Sequence, residues 1–123
     1  MIAVLAALAS GCGSSSSAPS AASVGQSSGG TLTLYSAQHE QMTNALAKAF
    51  EAQSGATVRV RFGEDEGLAN QIVQEGSASP ADVLLSENTP PLELLAEKGL
   101  LAKVDPPALA QVPSRYDSKD GDW

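Results

Sequence analysis

"ADVLLSE", residues 81–87, is the stretch on which the fold turns. Val83, Leu84 and Leu85 form an unbroken apolar run, with Pro80 three residues before its start and a polar "SEN" just after. A strand covered on one face alternates apolar and polar side chains. A run that is apolar at every position suits a parallel strand covered on both faces.

Helices and strands alternate outward from that run. Residues 67–75 carry Leu68, Ile72 and Val73 at helical spacing and stop at Gly76. Before them, "ATVRVRF" (56–62) sets Val58, Val60 and Phe62 against Thr57, Arg59 and Arg61, the period of a strand. The acidic "GEDEG" (63–67) between the two reads as an exposed turn and lacks the spacing of a calcium loop. A first strand is expected at 31–35 and a helix at about 38–53, where Met42, Leu46, Ala49 and Phe50 recur at helical spacing before Gly55. Leu32 and Leu34 are expected to bury that strand, and Met42 and Leu46 that helix. Downstream, "TPPLELLAEKGLL" (89–101) predicts a third helix with Pro90 and Pro91 at its first positions. Leu92, Leu95 and Ala96 would face inwards and Gly99 would end it. "LAKV" (101–104) is expected to be a fourth strand, and 105–118 irregular. The order is that of an α/β fold with a mostly parallel sheet.

The N-terminal thirty residues have a different character. "MIAVLAALA" (1–9) is apolar but far short of the roughly 20 residues a membrane-spanning helix needs. It suits the core of an export signal. Small residues Ser10 and Gly11 then precede Cys12, the sole cysteine, an arrangement that resembles the bacterial lipoprotein processing site. The resemblance implies cleavage before Cys12 and lipid on its thiol and new amino group. This sequence departs from that pattern in lacking Lys or Arg before the apolar run. "GSSSSAPSAASVGQSSGG" (13–30) has no charge and nothing to bury, so it reads as a flexible tether with an end-to-end distance of roughly 20–25 Å. The expected organisation is a signal peptide at 1–11, a lipidated Cys12 with its Ser/Gly linker at 12–30, and a folded part at 31–123.

Composition narrows the function. With fourteen acidic and seven basic residues the net charge is −7, a balance that repels polyanions. Aromatic content of 4 % gives no base-stacking platform. No Gly-rich phosphate loop follows the first strand and no GxSxG is present. In open α/β sheets ligands bind beyond the carboxyl ends of the strands. His39, the only histidine, follows the first strand by four residues, and Glu87 follows the third at once. Placement alone leaves each open to two readings, a ligand or an exposed polar residue near a helix start. One imidazole and one carboxylate, without a second histidine or a ligand thiol in the folded part, complete neither a zinc site nor a two-histidine iron site.

From Thr31 to Trp123 the chain resembles the periplasmic ferric-iron-binding proteins, the solute-binding lipoproteins of iron(III) ABC transporters. The residues that carry the resemblance are "LTLYSAQHEQ", "AFEAQSGATVRVRFG", "LANQIVQEGSASPADVLLSEN" and "LAEKGLL", with "EGSASPADVLLSEN" the most specific. The resemblance implies a periplasmic binding protein type II fold of which the first part of lobe 1 is present. It also implies His39 and Glu87 as ligands to Fe3+, and Asn88 near a synergistic anion such as phosphate or carbonate, where relatives commonly carry Gln. In that family two adjacent tyrosines complete the metal shell. Tyr35 and Tyr116 are not adjacent, so the resemblance implies that this ligand pair lies in a part not present here. It further implies ABC permease and ATPase partners, a monomer, and a lipid anchor on the extracytoplasmic face. Alternatives are a receptor of the same fold for another solute, such as thiamine or a polyamine, or an inactive truncated product. An enzyme would need more histidines or a nucleophile.

Overall fold

The computed structural model describes residues 29–123; the expected signal segment, Cys12 and most of the linker lie outside the described residues. Three strands form one parallel sheet in the order β2-β1-β3, with β1 at Thr31–Ser36, β2 at Thr57–Phe62 and β3 at Val83–Leu85. Leu34 lies opposite Val60 on one side and Val83 on the other. Each parallel connection runs through a helix: α1 at Glu40–Ser54 links β1 to β2, and α2 at Asp65–Glu75 links β2 to β3. Helix α3, Thr89–Glu97, follows β3, and a single turn α4 occupies Pro106–Leu109. Gly55 ends α1 with φ of 73°, its N–H donating to Glu51 O, a left-handed cap that glycine adopts without Cβ strain.

The pleat divides the side chains between two layers. Tyr35 of β1 faces α2 and α3, where Tyr35, Leu68, Ala69, Ile72 and Leu95 form the closed core. Leu32 and Leu34 point the other way, toward α1. On that layer Leu34 is buried as expected, at 6 % exposure, and the departure lies in α1. Thr43 and Ala47 are the buried residues of α1, whereas Met42, Leu46 and Phe50 are about half exposed. The helix approaches the sheet through its small residues, and the Thr43 hydroxyl hydrogen-bonds Ser36 Oγ at 2.8 Å. The larger apolar side chains are left at its flank.

Further differences concern the start of α2 and the segment after α3. Helix α2 begins at Asp65, two residues earlier than its apolar spacing predicts, because Asp65 is buried and fully hydrogen-bonded there. Residues 101–104 form no strand. Val104 N–H donates instead to Gly121 O at 2.9 Å, and Lys103 pairs with Asp122 at 2.9 Å, so the segment is tied to the chain's last turn rather than to the sheet. Between them, 105–118 is less irregular than expected, holding α4 and a short 3₁₀ turn at Ser114–Tyr116.

Candidate functional site

The carboxyl ends of β1 and β3 are neighbours, and the two loops that leave them carry His39 and Glu87. Strand β1 runs out into Ala37, whose N–H donates to Leu85 O at 3.0 Å, so the ladder continues one residue past the strand. Gln38 then reaches across, its side-chain amide donating to Ser86 O at 3.3 Å. Its own N–H returns to Ser36 Oγ at 3.2 Å. These contacts fix the His39 loop against the Glu87 loop.

His39 is the N-cap of α1. Its carbonyl accepts from Thr43 N–H at 3.0 Å, while its side chain makes no capping hydrogen bond. The imidazole is exposed and lines a surface depression of about 360 Å³ with Ser36, Ala37, Gln38, Glu40, Phe62, Gly63 and Glu64. Glu87 is also exposed and lies outside that depression, on the β3 side of the same edge. The structure therefore brings the two loops together. Among the described residues no group of three His, Cys, Asp or Glu side chains could hold a metal ion. This edge carries one imidazole and one carboxylate, on neighbouring loops.

Asn88 is the N-cap of α3, but its side chain does not cap the helix. Its amide donates to Asp65 Oδ2 at 3.1 Å. Asp65 is the residue that sequence reasoning missed. It sat in a segment read as an exposed acidic turn, yet it is 6 % exposed and gathers three consecutive residues of the β3–α3 loop. An acidic residue in the first turn of a helix is a legible signal. Its partners, more than twenty residues away, are not.

The two tyrosines stand apart from this edge. Tyr35 is buried, and its hydroxyl donates to Glu75 Oε1 at 3.2 Å. Burial and the neighbouring Glu75 push its pKa above 10.0. Hydrogen bonds from Ser79 and Gln71, with that from Tyr35, hold the Glu75 carboxyl below its ordinary 4.5. Tyr116 is 64 % exposed, with the Arg115 guanidinium 4.5 Å from its ring centroid.

With this geometry the chain can be placed among known proteins. Residues 32–113 match the family described as bacterial extracellular solute-binding protein. The chain belongs to that family. The chain is 44 % identical over 92 residues to the Fe(3+)-binding periplasmic protein of Serratia marcescens, covering 75 % of this chain and 27 % of that one. It is 36 % identical over 117 residues to iron uptake protein A1 of Synechocystis sp., covering 94 % and 32 %. Among solved structures, iron-bound HitA from Pseudomonas aeruginosa superposes with a TM-score of 0.73 at 49 % identity, over 74 % of this chain and 30 % of HitA. Trichodesmium FutA in complex with iron and citrate gives a TM-score of 0.69 at 29 % identity, over 76 % and 30 %. The architecture is thus a partial α/β domain of the type II periplasmic binding protein fold, with a parallel sheet. The chain spans about 30 % of the length of the structures it matches.

Proposed function

We propose that this chain is the first part of the extracytoplasmic ferric-iron receptor of an ABC transporter, and that His39 and Glu87 are its two ligands to the metal. One observation carries the reading: the parallel pairing of β1 with β3 sets the loops bearing His39 and Glu87 side by side at the carboxyl edge of the sheet. Ferric ion is a hard acid, and carboxylate oxygen with one imidazole suits it. The names of the relatives, ferric or Fe(3+)-binding in Serratia and Neisseria, favour this cargo over thiamine or a polyamine.

Two side chains on one edge do not saturate such an ion, so further ligands come from polypeptide beyond this stretch and from a small anion. Asn88 keeps one amide N–H for that anion, its other being committed to Asp65. Cys12 would carry the lipid that anchors the receptor, and the Ser/Gly segment would hold the domain clear of the membrane. A permease and ATPase would receive the loaded form.

Ferric titration of the 123-residue chain beside the full-length receptor tests the reading. The full-length protein is expected to bind tightly, with a visible tyrosinate-to-iron charge-transfer band, and the 123-residue chain weakly or not at all. His39→Ala or Glu87→Ala should weaken or shift that band. Equal affinity of the two chains would overturn the proposal that the site is shared with a second lobe.

A further inference from the structure

The Asp65 carboxylate, the first residue of α2, is turned wholly onto the loop that carries Glu87. Oδ1 accepts from Ser86 Oγ at 2.7 Å, both oxygens accept from Glu87 N–H at 3.1 Å, and Oδ2 accepts from the Asn88 amide at 3.1 Å. Burying an ionised carboxylate is costly unless it is hydrogen-bonded, and here the compensation comes from three successive residues of one loop. Contact between α2 and α3 does not need this arrangement, because Leu68, Ile72 and Leu95 already pack there.

We propose that Asp65 is the positioning residue of the metal edge: it fixes the backbone at Glu87, so that the Glu87 carboxylate is presented at a set place relative to His39. The inference rests on the ferric-iron reading above. A loop residue has two soft backbone torsions, and anchoring its N–H together with the side chains on either side removes most of that freedom. The same loop is held from the opposite direction by Gln38, the residue before His39, through Ser86 O. Asp65 and Gln38 therefore grip Ser86 from two sides and set the distance between the two ligand loops. For a metal ligand, such outer partners are commonly worth 10–100-fold in affinity.

Two measurements test this. In the 123-residue chain, amide hydrogen exchange at Glu87 reads the loop directly, without metal. Asp65→Ala should speed exchange there by at least about 10-fold, while amides within β1 keep their protection. Should Asp65→Ala not fold, Asp65→Asn, which keeps the size and one acceptor oxygen, is expected to show a smaller change at the same amide. Unchanged exchange at Glu87 in a folded variant would overturn the positioning role.

In the full-length receptor, Asp65→Ala should raise the Kd for ferric iron by about 10–100-fold. In a Glu87→Ala background it should add less than about 2-fold, since a residue that acts through Glu87 has nothing left to position. Full additivity would overturn the proposal. If Glu87→Ala itself leaves the Kd unchanged, the ferric-iron reading fails instead, and the exchange measurement tells that failure from the other.

Discussion

The two faces of the sheet are built on opposite terms. Toward α2 and α3, Tyr35, Leu68, Ala69, Ile72 and Leu95 are each no more than 6 % exposed. Toward α1, Leu32, Leu34, Leu46, Ala47, Phe50, Val58, Val83 and Leu85 line an entirely apolar cavity of about 250 Å³ that stands open to solvent. Leu46 and Phe50 are 54 % and 43 % exposed. Among the described residues one face has two helices over it, and the other has one, which approaches through Thr43 and Ala47. Apolar residue count does not separate the faces. Coverage does, and folding free energy should follow it, because the hydrophobic contribution scales with area removed from water.

The largest effect should come from Leu95→Ala, since Leu95 is fully buried. A loss of about 2–5 kcal/mol is expected in denaturant unfolding. Leu46→Ala on the open face, measured in the same way, serves as the control. Similar losses for the two would break the contrast between the faces.

Gly63→Ala should come next. A Cβ at Gly63 would lie 2.9 Å from Leu68 Cδ2, and Leu68 is held in the closed core. Overpacking of that kind costs about 1–3 kcal/mol. A thermal melt unchanged by this substitution would show that the closed face yields more readily than its packing implies.

Third, the Tyr35–Glu75 pair at the border of the closed face should make stability fall at both ends of the pH scale. The Glu75 carboxyl is held below its ordinary 4.5, so its contribution is complete above that value and is lost as pH falls through the lower folded value. The Tyr35 hydroxyl is raised above 10.0, so its contribution is complete below 10.0 and is lost as pH rises through the folded value. Glu75→Gln should flatten the acid limb of a stability–pH curve and lower the plateau between the limbs. An acid limb of unchanged slope would remove Glu75 from the account.

The smallest effect in stability should be that of Leu46→Ser, within about 0.5 kcal/mol for an exposed position. Its signature is elsewhere: binding of a hydrophobic fluorescent dye to the native chain should drop. Dye binding that follows Leu95 substitutions instead would place the sticky surface on the wrong face.

Much of this architecture was legible because its signals are local. Val83–Leu85, the alternation of 57–62, Gly55 and Gly76 each declare themselves within a few residues, and the β-α-β order follows from them. His39 and Glu87 could be assigned to one edge because strand order alone puts both after parallel strands. What escaped depends on distant partners. Helical spacing in α1 marks Met42, Leu46 and Phe50 as the apolar stripe, but the Thr43–Ser36 hydroxyl pair rotates the contact toward the small residues. "LAKV" has the composition of a strand, but its Val104 N–H donates to Gly121 O rather than to a neighbouring strand. Asp65 looks like one acid among several in "GEDEG", and only the Ser86–Asn88 loop distinguishes it.

Among the described residues both edges of the sheet are unpaired, with a last consequence for how copies of the chain meet. On the β2 side an incoming strand would meet the exposed Arg59 of the outermost strand, while Arg61 leans back over the Tyr35 ring of β1, 5.4 Å from its centroid, so like charge at Arg59 opposes edge-to-edge pairing. On the other side β3 is three residues long, too short to template an extended ladder. Strand addition is thus discouraged at both rims. Contact between copies at high concentration is therefore expected to favour the apolar cavity toward α1 over strand pairing at the rims.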